Sequence, residues 1–457
     1  MLRRLLFANF RLVHRADRAL RRRFTPAGLL LLGGLLAAGF YGANTRQTLA
    51  FQVFALAVAL LACAACAGVV RRRPFIVRRR LPPCGSVGQP LHYRVEITST
   101  SDRPEAGLVL MDELAGTFPA FEEFLNSRDP EDRHRNWFDR AVGYPRLLGV
   151  VNRRRGGHIP PVPVPVIPPR GSVEVEVVLH PERRGRLDFS RLVLGRPDPL
   201  GLVRSLQFTA APDRLLVLPR LYRVPRLAPG GGRQYQQGGM HLARSVGDSQ
   251  EFLSLREYRP GDPLRAVHWR SFARLGKPVV KEFQDEFFVR RGLLLDTFIE
   301  DRDEAVFEEA VSVAASFAWA VADQDALVDL MFVGADAYRF TAGRGLAQRE
   351  NLLEVLACVP ACRDRPFTVL GDLVRRHLHE LSALTCVFLD WDTQRQELAG
   401  TLRGAGIPLH VLVVTPDGAA AGRDAGPMAD RPRQFLVLPP GRVQETLDGF
   451  APALVQA

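Results

Sequence analysis

Two long apolar runs near the start of the chain constrain its folding most. Residues 26–43 are apolar, and residues 49–70 form a second run broken by one glutamine. At about 1.5 Å per helical residue, each run is long enough to cross a hydrocarbon core of about 30 Å. The pattern predicts a transmembrane hairpin over residues 25–70. A cleaved signal peptide is disfavoured because a second run follows at once and the leader, residues 1–24, is long and rich in arginine.

The arginines around these runs predict how the hairpin is oriented. Residues 21–23 precede the first run, residues 71–73 and 78–80 follow the second, and all nine are arginine. The short link between the runs contains one arginine, Arg46. The positive-inside rule then predicts a multi-pass protein of the cell membrane, with both termini in the cytoplasm.

The location of the positive charge argues against nucleic-acid binding. The net charge is +12, but residues 1–80 contain fifteen arginines and one acid, Asp17, which leaves −2 for residues 81–457. A nucleic-acid-binding domain is expected to carry a basic face of its own. Nucleic-acid binding by the arginines of residues 251–286 is kept as a third functional hypothesis.

Residues 81–220 show the period-two alternation of half-buried strands. The alternation is clearest in residues 91–98 and 172–179, and further short strands with turn residues between them predict an antiparallel β-sandwich-like domain. A helical insertion is expected over residues 118–151. The proline-rich residues 160–169 are expected to run as an extended, polyproline-like connector without a normal strand ladder.

The remainder of the chain predicts an α/β domain joined by a linker. Residues 221–241 contain two glycine clusters and are interpreted as the linker, and residues 242–290 form a charged, aromatic-rich signature segment. Residues 291–457 alternate apolar strands with amphipathic helices, which predicts a doubly wound domain around a parallel sheet. Two of the predicted strands end in an acid, Asp296 and Asp390.

Residues 251–286 carry the most specific pattern, EFLSLREYRPGDPLRAVHWRSFARLGKPVVKEFQDE. Arginines and carboxylates interleave around a Pro-Gly turn, which suits a surface segment held by Arg–carboxylate pairs. The residues expected to contact a protein partner are Arg256, Glu257, Arg259, Asp262, Arg265 and Arg270. The residues expected to shape the segment are Tyr258, Pro260, Gly261, Trp269, Ala273, Arg274 and Gly276. Trp269 is expected to point inward with Phe272 and to have a mainly architectural role.

This segment, the apolar hairpin and β-domain before it and the strand ending in Leu-Asp-Thr after it resemble the bacterial domain-of-unknown-function 58 family. The resemblance covers essentially the whole chain. It implies a protein anchored in the bacterial inner membrane, with a C-terminal domain similar to a von Willebrand factor A domain. Family members occur alongside MoxR-type AAA+ ATPases and membrane proteins with transglutaminase-like domains. The resemblance therefore implies such proteins as partners and an adaptor role toward the ATPase.

The resemblance also implies a metal motif that this sequence does not preserve. A-domains bind a cation through Asp-x-Ser-x-Ser after the first strand, and the matching positions here are Asp296, Phe298 and Glu300, so both hydroxyl ligands are missing. Mg²⁺ prefers octahedral oxygen ligation, to which a phenylalanine contributes nothing. We expect no cofactor. A cation, if bound, would be held by Asp296, Asp390 and Asp392.

No catalytic constellation stands out in the sequence. It contains no glycine-rich phosphate loop in a strand–loop–helix context, no zinc-ligand spacing and no nucleophile–base set. We therefore name no catalytic residue and expect no enzyme. The main hypothesis is a membrane-anchored, cytoplasm-facing interaction protein. The alternative is a cation-dependent hydrolase built on the three carboxylates.

Overall fold

The chain forms two units, Met1–Pro219 and Arg220–Ala457. Each unit has sheets and a hydrophobic core of its own. The structure is a computed structural model, and the residues it describes are 2–42, 48–70, 75–116, 118–126, 135–224, 235–236, 251–260, 262, 264, 267–284, 287–288, 290–299, 304–322, 327–343, 346–415 and 424–455.

Three helices open the first unit: α1 (Leu2–Arg23), α2 (Pro26–Gly42) and α3 (Thr48–Val70). α2 and α3 coincide with the two apolar runs, and they pack against each other. Among the described helices one stretch, Leu49–Ala67 of α3, is both long and apolar enough to cross a membrane, and α2 is shorter. Only 11% of that stretch is buried in the chain, whereas the core helix of a soluble domain is mostly buried.

The first unit continues as two facing sheets. Their strands are β1 (Phe75–Arg80), β2 (Cys84–Ser86), β3 (Leu91–Ser99), β4 (Val109–Leu114), β5 (Gly157–His158), β6 (Val162–Pro163), β7 (Ser172–Pro181), β8 (Gly185–Pro197) and β9 (Arg204–Leu218). The four-stranded sheet has the order β1-β3-β7-β5, and the five-stranded sheet has the order β2-β9-β8-β4-β6. Alternate residues of both sheets, such as Val95 and Ile97 of β3 and Leu192 and Leu194 of β8, share one core. This is the layered packing of a β-sandwich.

The proline-rich stretch differs from our expectation. β6 pairs with β4, with Pro163 opposite Val109, and the N–H of Val164 donates to the carbonyl of Leu108 at 2.8 Å. The stretch forms part of a ladder because residues between the prolines supply N–H groups and because β6 lies at a sheet edge, where proline is tolerated. The predicted insertion is present as α4 (Phe121–Asn126), α5 (Trp137–Val142) and α6 (Tyr144–Arg155).

The second unit contains the predicted alternation of strands and helices. Its elements are β10 (Tyr235–Gln236), β11 (Glu251–Glu257), α7 (Trp269–Leu275), β12 (Val279–Gln284), β13 (Phe287–Phe288), β14 (Arg290–Leu295), α8 (Glu304–Ala322), β15 (Leu327–Val333), β16 (Ala337–Ala342), α9 (Leu346–Cys358), α10 (Thr368–His377), β17 (Ala383–Phe388), α11 (Thr393–Gly404), β18 (Leu409–Val414), β19 (Phe435–Leu438) and α12 (Val443–Val455). Six strands form a sheet of order β16-β15-β14-β17-β18-β19. All neighbours are parallel except β15 and β16, which form an antiparallel edge hairpin.

The six-stranded sheet is covered on both faces. One face packs against α10 and α11 in a core that includes Leu294, Leu370, Phe388 and Leu398. The buried residues of α8 lie outside that core, and α8 packs against the same strands from the opposite face. β15 lies on one side of β14, and β17, the next strand of the parallel sheet along the chain after the β15–β16 hairpin, lies on the other side. The direction in which strands are added to the sheet therefore reverses between β14 and β17. In open α/β sheets the carboxyl edge at such a reversal is where ligands bind, and Asp296 follows β14 there.

Candidate functional site

The signature segment folds as a hairpin outside the six-stranded sheet. β11 and β12 pair antiparallel, and α7 lies in the connection between them. We call β11, α7 and β12 with their connections the signature hairpin. Tyr258 packs against Val267 and Val280 in a small core of its own. Gly276 ends α7 at φ 66°, a left-handed conformation that glycine adopts without a Cβ clash.

A bidentate ion pair ties the connecting loop to β11. The guanidinium Nη1 and Nη2 of Arg256 donate to the two carboxylate oxygens of Asp262 at 2.7 and 2.8 Å. The backbone N–H of Arg259 donates to the same carboxylate at 2.9 Å. The hydrogen bonds from Arg256, and next the one from Arg259, lower the pKa of Asp262 to about 2. The carboxylate is therefore charged, and the ion pair intact, across the neutral pH range.

Trp269 and Phe272 of α7 face solvent. The Trp269 side chain is 62% exposed, and its ring lies edge-on to that of Phe272 with 6.1 Å between the centroids. Our expectation that both rings point inward is wrong. The physical reason is that a two-stranded sheet offers too little surface to bury large aromatic side chains in addition to its own small core. Leu264, in the same connection, is exposed as well.

The other residues predicted in this segment lie mostly on its surface. Glu257 forms an ion pair at 3.7 Å with Lys277, and both side chains are exposed. His268 Nδ1 lies 2.6 Å from the hydroxyl of Ser271. The exposed predicted residues also include Arg259, Pro260, Arg270, Ala273 and Arg274. Two predicted residues, Gly261 and Arg265, lie outside the described residues.

At the switch point of the six-stranded sheet, Asp296 is fully buried and its carboxylate has three donors. The backbone N–H groups of Phe298 and Leu389 donate to it at 3.0 and 3.1 Å. The third donor is Nε of Arg395, in the first turn of α11, at 2.6 Å. A buried carboxylate is very costly unless it is paired and hydrogen-bonded, and here the guanidinium supplies the compensating charge.

Arg395 links Asp296 to Asp392. The Asp392 carboxylate accepts the N–H of Arg395 at 3.0 Å as the N-cap of α11, and it also pairs with the Arg395 guanidinium. The guanidinium carbon lies 4.6 Å from the centre of the Phe367 ring, and that ring packs edge-on against Phe298. Burial lowers the pKa of Arg395, but Asp296 and Asp392 together raise it by more, so Arg395 is charged.

The residues at this edge do not fit a cation of the A-domain type. Two of the three carboxylates named from the sequence, Asp296 and Asp392, are brought together through a guanidinium, and the third, Asp390, accepts the N–H of Trp391 at 2.7 Å. Phe298 stands where a hydroxyl ligand would be needed. Across the described parts of the chain, no group of three His, Cys, Asp or Glu side chains is arranged to hold a metal ion.

Sequence reasoning missed Arg395 and a second buried ionic cluster. The buried Asp329 of β15 accepts from Arg290 at 2.6 Å and from Arg339 at 3.0 Å. Arg339 also pairs with Glu380, and its hydrogen bond is the main reason why the pKa of Glu380 is lowered to about 2. No sequence motif marks these residues, because they lie far apart in the chain and meet only in the folded domain.

Comparison with known proteins identifies the family. Residues 254–414, from the signature hairpin to the end of β18, match the family model described as "Protein of unknown function DUF58". These residues belong to the DUF58 family. One relative of the chain is the "Uncharacterized protein YeaD" of Bacillus subtilis (strain 168), which is 30% identical over 176 residues. That match covers 38% of this chain and 42% of the relative.

Solved structures show weak similarity to this chain. A crystal structure of red sea bream transglutaminase is 16% identical, and the match covers 32% of this chain and 15% of that chain with a TM-score of 0.17. A crystal structure of a Salmonella alpha-2-macroglobulin mutant is 14% identical, and the match covers 36% of this chain and 8% of that chain with a TM-score of 0.19. Similarities at this level carry no argument about fold or function.

Proposed function

We propose that this protein is a non-catalytic, membrane-anchored interaction protein whose second unit binds a protein partner through the signature hairpin. The observation that carries the proposal is the exposure of Trp269 beside Phe272. Large exposed aromatic side chains with charged neighbours are typical of protein-binding surfaces, where tryptophan and arginine contribute most of the binding energy. Arg270, Arg274 and Lys277 supply the charged neighbours.

The ion pair between Arg256 and Asp262 supports the same role. It holds Asp262, which precedes α7, against Arg256 of β11. A surface that is ordered before binding loses less conformational entropy when the partner docks. Arg259 is held at the same turn, since its backbone N–H donates to Asp262 while its side chain is exposed. We therefore assign Arg256 and Asp262 to positioning and Trp269 to contact.

The anchor in this proposal is a hairpin of α2 and α3. The support is the apolar and mostly exposed stretch Leu49–Ala67, the packing of α2 against α3 and the arginines that flank both helices. With positive charge on the cytoplasmic side, both termini and the second unit lie in the cytoplasm, at the inner membrane of a bacterial cell.

The partner we propose is a MoxR-type AAA+ ATPase, for which this protein would act as an adaptor, and membrane proteins with transglutaminase-like domains are further candidates. The second unit is proposed to be similar to a von Willebrand factor A domain. The support is its doubly wound sheet and the position of Asp296 at the end of β14, where the A-domain motif begins. The replacement of its hydroxyl ligand by Phe298 favours partner binding that needs no cation.

The proposal is tested by affinity capture of the full-length chain from detergent-solubilised membranes with the ATPase trapped by a non-hydrolysable nucleotide. Wild type is expected to recover the ATPase, and Trp269→Ala to lose most of it. Trp137→Ala is the matched control, because Trp137 is also highly exposed and edge-on to a phenylalanine, Phe138, but lies in the first unit. Absence of the ATPase from the wild-type eluate, or equal loss in both variants, would contradict the proposal.

A further inference from the structure

α1 has two apolar sides, and protein covers one of them. Phe10 is buried, with its ring centroid 5.2 Å from that of Tyr144 in α6, and the Phe7 centroid lies 5.6 Å from that of Phe124 in α4. Near the other end of the helix, Arg22 pairs with Glu113 of β4 at 2.5 Å. These contacts fix the rotation of α1 about its axis, so its remaining faces point away from the first unit.

The second apolar side of α1 is exposed. Leu5 and Leu12 are 65% and 68% exposed, and Val13 and Leu20 are exposed as well. At 3.6 residues per turn these four side chains fall within an arc of about 100°, the width of a typical buried stripe on an amphipathic helix. A stripe of this length in water would forgo the stabilisation that apolar burial provides.

The charges around this stripe favour an anionic surface. Among the described side chains of α1, the exposed arginines are Arg4, Arg11, Arg15, Arg21 and Arg23. The one acid of the helix, Asp17, is paired with Arg21 at 2.7 Å. A second copy of the chain would bring the same arginines against one another, whereas lipid phosphates accept bidentate hydrogen bonds from guanidinium groups. An apolar stripe flanked by arginines is the pattern of a helix that lies in a membrane interface.

The position of the stripe in the chain also indicates that it contacts a membrane. α1 ends at Arg23, and the apolar α2 begins three residues later at Pro26. The turn between them is fixed, because the hydroxyl of Thr25 donates to the carbonyl of Gly201 at 2.6 Å. Leu200, in the same loop as Gly201, is exposed. The apolar side of α1 is thus continuous along the chain with the proposed anchor.

We infer that α1 lies along the surface of an anionic bilayer, with Leu5, Leu12, Val13 and Leu20 at the boundary between headgroups and acyl chains and with Arg15 and Arg23 on lipid phosphates. This inference rests on the proposed membrane anchoring. It adds a function for α1, which would hold the β-sandwich against the membrane and would make its orientation depend on anionic lipid.

The test is spin-label accessibility in the full-length chain, reconstituted in nanodiscs of phosphatidylcholine with phosphatidylglycerol. The accessible native cysteines, Cys63, Cys66, Cys84 and Cys358, are first replaced by serine. Single labels are then placed by Leu12→Cys, by Arg11→Cys and by Leu56→Cys. Leu56 is an exposed residue of α3 and reports on the anchor, and Arg11 lies about 100° round the helix from Leu12.

The expected result is that labels at 12 and 56 collide with oxygen and are shielded from a water-soluble nickel complex, whereas the label at 11 collides with nickel. In nanodiscs of phosphatidylcholine alone, the preference of the label at 12 for oxygen over nickel is expected to fall. An unchanged preference would overturn the inference that α1 needs anionic lipid. Nickel access at 12 with lipid access at 56 overturns the inference and leaves the anchor standing. A label at 12 that is immobile and shielded from both reagents means that protein covers the stripe, which also overturns it. Nickel access at 56 overturns the anchor itself.

Discussion

Nε of Arg395 lies 2.6 Å from Oδ2 of Asp296, and both side chains are almost completely buried. The pair occupies the carboxyl edge between β14 and β17, where an α/β sheet of this order would otherwise open toward a ligand. A positive side chain from α11 therefore stands beside the acid that the sequence suggested as a metal ligand. The edge is stabilised by an internal ion pair and has no free carboxylate at Asp296.

Removing one partner of this pair should be strongly destabilising. Arg395→Met keeps the length of the side chain but leaves the Asp296 carboxylate buried without its charge partner, at an expected cost of about 3–5 kcal/mol. Hydrogen exchange of β14 and β17 peptides in the full chain measures this loss, with peptides of the first unit as an internal reference. Arg375→Ala, which breaks the exposed pair of Arg375 with Asp372, should cost less than about 1 kcal/mol. Similar exchange in both variants would contradict the assignment.

Mg²⁺ should not bind at Asp296 in the wild-type chain. The guanidinium of Arg395 satisfies the carboxylate, and Phe298 offers no oxygen. Calorimetric titration with Mg²⁺ should give no saturable heat. The double variant Phe298→Ser with Arg395→Ala restores a hydroxyl and removes the guanidinium that pairs with Asp296 and Asp392. If this variant folds, Mg²⁺ binding should appear in it. Saturable binding to wild type that Asp296→Asn abolishes would show that the site does hold a cation.

The Arg256–Asp262 ion pair should control the order of the loop before α7. Asp262→Ala is expected to speed hydrogen exchange in the loop that follows Glu257, whereas Lys277→Ala, which breaks an exposed pair, should not. Because the folded pKa of Asp262 is depressed to about 2, its stabilising effect is present above the ordinary pKa of about 3.8 and is lost as pH falls toward 2. Protection corrected for intrinsic rates should therefore be flat between pH 7 and pH 5. A transition in this protection with its midpoint between pH 7 and pH 5 would contradict the ion pair.

Trp269→Ala should reduce partner capture without unfolding the protein. The side chain is mostly exposed, so its removal leaves no cavity, and the free energy of unfolding should change by about 0.5 kcal/mol or less. Urea unfolding followed by circular dichroism provides the measurement beside the capture assay. A large loss of stability would mean that the ring is covered in the folded chain.

Acid should destabilise the second unit through His410. Burial first, and the nearby Arg291 second, lower the pKa of His410 to about 4. The folded chain keeps this ring neutral while the unfolded chain protonates it below about pH 6.5, so stability is lost as pH falls from about 6.5 to about 4. The loss at pH 5 should be about 2 kcal/mol. His410→Leu should shrink the difference between the urea midpoints at pH 7 and pH 5. Equal pH dependence in both proteins would contradict the assignment.

Local pattern was sufficient to predict most elements of both units. The period-two alternation of β3 and β7 and the apolar runs of β14, β17 and β18 are set by which face each residue presents, a property of the sequence alone. β1 was missed because it lies among arginines. Its alternate residues Phe75 and Val77 are buried, while Arg79 reaches Asp112 across the sandwich at 2.6 Å.

The sequence by itself determined the family of residues 254–414, the order of the elements and the acids at the strand ends, because these depend on residues close together in the chain. Tertiary structure alone decided what those acids do. Asp296 and Arg395 are 99 positions apart, and no local rule pairs them. They meet because β14 and β17 are neighbours in the sheet and α11 begins just after β17, and a buried carboxylate requires a charge partner there. The exposure of Trp269 was decided in the same way, by how little surface the two-stranded sheet has to cover it.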